Sequence, residues 1–308
     1  MSKILVTGGA GFIGSTLVDR LISEGHELIV LDNLVSGKRD YINPKAKLYE
    51  LNICAPEVSE VFKTEQPEMV YHLAAQIDVR ISVSDPVFDN QVNAVGSLNI
   101  LENCRLNNVK KFIFVSTGGA IYGEAEEIPT TESAPTYPLS PYGIHKLTTE
   151  KYCNFYQEVY GLDYTILRFA NVYGPRQYKG GEAGVVSIFI DHAVSGKECL
   201  INGDGTQTRD YVYVDDVVTA LSKAKEVNYQ GEINIGCAKE ISVLDIVAAI
   251  KNSLGSDFSP QHVPAKPGEQ RRSCLSYALA NQILAWEPKI DINEGVKRTI
   301  EWTKTLNS

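Results

Sequence analysis

The six cysteines of this 308-residue chain include no CxxC pair and no Cys/His cluster at ligand spacing, so neither a zinc motif nor a dithiol redox motif is present and no metal site is expected. They fall 37 to 50 residues apart and read as reduced, mostly buried small side chains. No apolar run approaches the ~18 residues needed to cross a bilayer. The start "MSKILVTGG" enters an apolar run with no charged-then-apolar leader, so a soluble, cytoplasmic protein with no membrane partner is expected. Basic residues are also short: 29 Lys and Arg stand against 38 Asp and Glu, for a net charge of −9. Lys110-Lys111 and Arg271-Arg272 are too small for an electrostatic footprint, so no nucleic-acid partner is expected. Internal repeats and low-complexity segments are absent as well. What the chain does have is 44% apolar content, enough to bury a large core in one big domain or two moderate ones.

Through residue 170 the pattern is short β-branched runs, "KILVTG", "ELIVLDN", "KLYELN", "MVYHLA", "KKFIFVS" and "DYTILRF", separated by amphipathic stretches. That alternation predicts an α/β fold, a doubly wound parallel sheet with helices on both faces. After 171 the spacing becomes irregular and Gly and Pro cluster in "VYGPRQYKGGEAG", "NGDGTQTRD" and "PAKPGEQRRS". The expected division is a sheet domain over 1–171 and a smaller α/β lobe over 172–308, with about 210–237 able to return to the edge of the first sheet.

The opening segment "VTGGAGFIGSTLVDRLISEGHELIVLDN" holds Gly8, Gly11 and Gly14 between a strand and a helix, then a second strand ending in Asp32, 18 residues after Gly14. Glycine serves the tight turn, the close approach of backbone to a pyrophosphate, and the packing of helix on strand, while the helix N-terminus supplies amide donors. Asp32 would accept the adenosine ribose hydroxyls and repel a 2′-phosphate, so the expected cofactor is NAD rather than NADP. Farther along, "SPYGIHK" opens a helix and sets Tyr142 and Lys146 four residues apart, on one face. A phenol of reference pKa near 10 needs its anion stabilised by about 3 units, or ~4 kcal/mol, to act as a base at neutral pH. A neighbouring ammonium helps supply that.

Together, "TGGAGFIG", "LDNL", "HLAA", "VSTGGAIYGE" and "YGIHK" resemble the extended short-chain dehydrogenase/reductases. Within them, "LRFANVYGPRQ", "GDGTQTRDYVYVDD", "KPGEQRRS" and "WEPK" resemble the UDP-glucose 4-epimerase family. The resemblance implies a Rossmann fold (a βαβ dinucleotide-binding sheet), a tightly held NAD and Tyr142 as the phenolate base acting on a sugar 4-hydroxyl. It places the cofactor against Gly8, Gly11, Phe12, Ile13, Gly14, Asp32, Asn33, Asn52, Ile53, Leu73, Ala74, Ala75, Asn93, Ser116, Tyr142 and Lys146. It assigns a UDP-sugar to Thr117, Tyr142, Asn171, Val185, Arg209, Tyr211, Lys266, Glu269, Arg271 and Ser273, with the ribose on Glu269. Homodimerisation through helices near 88–107 and 141–160 is implied too. Sugar-nucleotide 4-reductase and UDP-uronate 4-epimerase activities occur on the same fold.

The chain also departs from the family pattern. Asn52 stands where an acid is common, and Lys266 where an arginine is common, which shifts the phosphate contact to Arg271 or Arg272. His145 replaces a small residue before Lys146 and is expected on the helix surface. Gly119 and Ala120 occupy the places of the acid that dehydratases carry. Counting back four from Tyr122 gives Gly118, where the family has a serine or threonine. The replacement hydroxyl is Thr117, with Ser116 or a water as the alternatives. Ser273, four residues after Glu269, leaves room for an N-acetyl group at the sugar's 2-position.

Overall fold

The computed structural model describes residues 1–177, 184–255, 258–265 and 270–306. The six apolar runs form β1 (Lys3–Thr7), β2 (Glu27–Asp32), β3 (Lys47–Glu50), β4 (Met69–His72), β5 (Lys111–Thr117) and β6 (Asp163–Phe169). A seventh strand, Glu232–Ile235, pairs in parallel with β6 and gives the order Glu232–Ile235, β6, β5, β4, β1, β2, β3. All seven run parallel. Helices cover both faces, so the inner strands carry apolar residues in unbroken runs instead of alternation, as Ile4, Leu5 and Val6 on β1 and Phe112, Ile113 and Phe114 on β5 show, all buried. One apolar cluster lies on each face of the sheet.

Three helices frame the carboxyl ends of these strands. The first, α1 (Phe12–Ser23), follows the glycine turn. Pro86–Leu106 runs as one helix through a π turn at Gln91–Gly96. Pro141–Tyr160 starts at Ser140, whose Oγ accepts the Gly143 N–H at 3.2 Å, and stops at Gly161, φ +73°, a left-handed C-cap suited to glycine. Among the described residues no helix is long and apolar enough to cross a membrane.

Helix Val214–Ala224 packs on α1, and Ser222 Oγ donates to Glu24 at 2.7 Å, so the segment leading to Glu232–Ile235 belongs to the sheet layer. What remains beyond it is built from helices Val185–Ser195, Val243–Leu254 and Ile292–Leu306 packed on one another. Two-stranded pairs accompany them: Leu200–Asn202 with Gln261–Val263, and Thr208–Arg209 with Ile241–Ser242.

Candidate active site

A cleft runs along the carboxyl ends of β1 to β6, where the strand order reverses between β1 and β4 and open α/β sheets bind ligands. Gly8 ends β1 at φ +72°, and a Cβ there would lie 2.7 Å from the Ala74 amide nitrogen. A Cβ on Gly14 would overlap the Gly8 carbonyl oxygen. Both positions therefore admit only glycine, and the first turn of α1 lies flush on the strand end with its amides facing the cleft. Asp32, 7% exposed, is held by the Ala10 and Leu34 N–H groups at 2.9 and 2.8 Å and lines the cleft. Phe12, Ile13, Asn33, Asn52, Ile53, Leu73, Ala74 and Ala75 line the same cleft. The glycine cradle, the free helix N-terminus and the strand-end carboxylate fit a dinucleotide.

Within that wall two side chains have local duties. The Asn52 oxygen, expected against the cofactor, accepts the Cys54 N–H at 2.9 Å. Asn93, expected near the centre, does not line the cleft; its amide clasps the Gln76 backbone, accepting at 2.9 Å and donating at 2.8 Å. It thereby fixes the loop after β4 that forms the wall.

At the floor, helix Pro141–Tyr160 brings Tyr142 and Lys146 into the cleft. Lys146 is 3% exposed; its Nζ donates to the Val115 carbonyl at 2.9 Å and stands 4.8 Å from the Phe114 ring centroid. Burial draws its pKa down to about 8, against the opposing pull of Asp89 and Glu150. His72 lies nearby, bonded to Thr7 Oγ1 at 2.7 Å and Ser97 Oγ at 2.9 Å. Burial, with the Lys146 charge added, drops it to about 3, so it is neutral.

The end of β5 separates its two hydroxyls. Ser116 Oγ donates to Glu150 Oε1 at 2.6 Å, inside a buried pair in which the Arg168 guanidinium meets Glu150 at 2.6 and 3.0 Å. Thr117 lines the cleft, and its hydroxyl has no hydrogen-bond partner among the described residues. A Cβ on Gly118 would run into Leu275 rather than the cleft. With this backbone a hydroxyl at 118 would point the wrong way. A Cβ on Gly119 would sit 3.9 Å from Thr117 Oγ1 and 3.8 Å from Asn171 Oδ1, which puts that position beside the Thr117 hydroxyl and the Asn171 amide.

Residues 4–236 match the NAD dependent epimerase/dehydratase family. The chain belongs to that family. It is 46% identical over 307 residues to a putative UDP-glucose 4-epimerase of Methanocaldococcus jannaschii, covering 99% of each chain. It is 48% identical to the UDP-glucose 4-epimerase of Thermotoga maritima solved with UDP-glucose, covering 99% of this chain and 100% of that one at TM-score 0.97. Against the Thermus thermophilus UDP-glucose 4-epimerase complex with NAD it is 40% identical, covering 98% and 99%, at TM-score 0.93.

In this epimerase/dehydratase chain the candidates for the far, substrate end come together on adjacent segments. Asn171 opens a short strand, Asn171–Tyr173, parallel to Tyr211–Tyr213. Tyr211 itself is 8% exposed and packs edge-to-face on Tyr173 with ring centroids 6.4 Å apart, so it is core as much as site. Arg209 follows Thr208, whose N–H donates to Arg271 O at 3.0 Å, and its Nη1 reaches back to Thr208 O at 2.8 Å. Arg272 forks onto Glu240 at 2.6 and 2.9 Å, which holds that carboxyl down at about 2. Among the described residues the Arg271 guanidinium reaches Thr206 Oγ1 at 3.5 Å, and the side chain is exposed. Ser273 is half-buried, and Val185 opens its helix packed against the core. Lys266 and Glu269 lie outside the described residues.

Three features escape a reading of the epimerase/dehydratase motifs. His145 is no surface residue: its Nδ1 meets the fully buried Asp89 at 2.5 Å, and its side chain is 14% exposed. Tyr122 of "YGE" is spent on Asn234 at 2.8 Å and Arg168 at 2.9 Å. Asp210 accepts the Cys237, Ala238 and Leu275 N–H groups at 2.8, 3.2 and 3.1 Å. It fastens Leu275 against Gly118, and burial raises it to about 6. The acid beside Arg209 in "TRDY" was the available signal, but nothing local shows which distant amides it gathers.

Proposed function

We propose that this protein epimerises carbon 4 of a UDP-hexose, interconverting UDP-glucose with UDP-galactose and also their N-acetylated counterparts, through a transient 4-keto sugar. The observation that carries this reading is the convergence of Tyr142, Lys146 and Thr117 in the same cleft as the glycine cradle. Bound NAD supplies acceptance of a hydride from carbon 4 and its return. Gly8, Gly11, Gly14 and Asp32 would hold it, with the Asp32 charge selecting against a 2′-phosphate. The Tyr142 phenolate takes the 4-hydroxyl proton, and the phenol gives it back on the other face of the turned sugar. Lys146 stabilises the phenolate by its charge, and Thr117 bridges phenol and sugar oxygen. Gly119 leaves no carboxyl beside those hydroxyls, so the proton traffic of an elimination has no local acid or base.

Asn171, Arg209 and Arg271 meet the diphosphate, where a planar guanidinium matches phosphate oxygens. Ser273 leaves space at the sugar's 2-position. Exposed apolar residues on two neighbouring helices, including Val87 (78%), Phe88 (48%), Phe155 (44%) and Val159 (56%), support a homodimer built on this face. Six free thiols fit the cytoplasm. Purified protein without added cofactor is expected to convert both UDP-galactose and UDP-N-acetylgalactosamine, with products separated by chromatography. No conversion of either sinks the reading, and conversion of UDP-galactose alone sinks the N-acetyl part. Light scattering at the protomer mass of 33.9 kDa would remove the dimer.

A further inference from the structure

We infer that Asp89 is the counter-ion of Lys146, a positioning residue that acts on the Tyr142–Lys146 pair without touching substrate; this rests on the role given to that pair above. The Asp89 side chain is fully buried. Its Oδ2 accepts from His145 Nδ1 at 2.5 Å, and its Oδ1 accepts from Gln76 Nε2 at 2.7 Å and Asn93 Nδ2 at 3.0 Å. Asn93 in turn clasps the Gln76 backbone. Within the π turn at Gln91–Gly96, the Asn93 carbonyl accepts the Thr149 hydroxyl at 2.9 Å and that of Ser97 at 2.7 Å. One carboxylate thus ties the loop behind the cofactor wall, helix Pro86–Leu106, and the helix that carries Tyr142 and Lys146.

Apart from the Tyr142 phenol on its own helix, whose anion it serves, the other groups facing Lys146 leave Asp89 as its standing source of negative charge. From its own helix comes Glu150, already matched by the buried Arg168 fork. From β4 comes His72, neutral. From β5 come the Val115 carbonyl and the Phe114 ring, which carry no net charge. Asp89 has an imidazole rather than a fixed cation as its charged-group partner. Burial pulls the Lys146 ammonium toward neutrality, and the Asp89 charge opposes it more strongly than that of Glu150. The catalytic ammonium is kept charged from the helix next door.

Asp89→Asn keeps the Oδ1 acceptor for Gln76 and Asn93 while removing the charge. His145→Arg keeps Asp89 but sets a fixed cation on it. The measurement is an NMR titration of the Lys146 Cε and Nζ signals in the protein as purified, assigned by their loss in Lys146→Arg. Either variant is expected to lower the Lys146 midpoint by about one pH unit, the lower end of the range for a nearby opposite charge. UDP-galactose turnover between pH 7 and 8 should fall with the share of Lys146 that the lowered midpoint leaves uncharged, and recover above pH 9, where the phenol ionises unaided. An unchanged midpoint in whichever variant folds overturns the proposal. A lowered midpoint with an unmoved rate profile leaves Asp89 as the counter-ion but overturns the catalytic role of the Tyr142–Lys146 pair.

Discussion

Lys146→Met should make the protein more stable and less active at once. The buried ammonium titrates at about 8, against 10.5 for an ordinary lysine. Between those values the unfolded chain holds a proton that the folded chain has released, so stability rises with pH across that window, and the deficit is fully present below pH 8. A difference of that size corresponds to ~3 kcal/mol at neutral pH, an upper figure that Met should largely recover by filling the stem's volume without the charge. Activity should go the other way. With Tyr142 one turn away on the same helix face, a unit charge at ~5 Å in an effective dielectric near 20 is worth ~3 kcal/mol, or roughly two units of phenol acidity. The acid limb of the rate profile should therefore move up about two pH units, with the rate at pH 7 down ~100-fold and most of it regained above pH 9. Initial rates of UDP-galactose conversion from pH 6 to 10, with urea melts at pH 7 and pH 10, measure both arms. A uniform drop in rate with no displaced limb would refute the electrostatic role. A variant less stable than the parent at pH 7 would refute the burial cost.

Tyr142→Phe should abolish turnover, while Thr117→Val should lower kcat by ~10-fold or more with little change in cofactor retention; an unaltered rate in Thr117→Val would leave a water as the bridge. Gly118→Ala should slow the reaction because its methyl meets Leu275, and Leu275→Ala should restore it; failure of the double variant to recover would show that the glycine is needed for its backbone alone. Arg168→Met leaves the Glu150 carboxylate buried without its cation, so thermal unfolding should register a loss of ~3–5 kcal/mol. A change under 1 kcal/mol would mean that water reaches Glu150.

The sheet was legible because a parallel strand buried on both faces writes itself as an apolar run, as β1, β2, β4, β5 and β6 do, while β3, an edge strand with no buried residue, was marked by its place in the alternation. The seventh strand, Glu232–Ile235, is four residues long and edge-placed; its run was legible only as able to return to the sheet, and its pairing with β6 places it there. The cradle was equally legible, since overlap at Gly8 and Gly14 admits one residue type at each. His145 was misplaced because helix periodicity cannot announce a partner 56 residues earlier. Ser116 and Thr117 could not be told apart for a related reason. Alternation along β5 sends them to opposite sides, but the side that holds Glu150 and Arg168 is decided by a helix and a strand that come later in the chain.

Gly118 draws these strands of reasoning together. Its side of the backbone is filled by Leu275, and Leu275 is held by its N–H on Asp210, whose own carbonyl accepts the Asn171 N–H at 2.9 Å. The end of β5 at Gly118, Asn171 and the segment carrying Ser273 are therefore linked through one buried residue, Asp210. A side chain at 118 would push on Leu275 and so on the segment that carries Arg271 and Ser273. Glycine at 118 is thus what lets Leu275 seat against the end of β5.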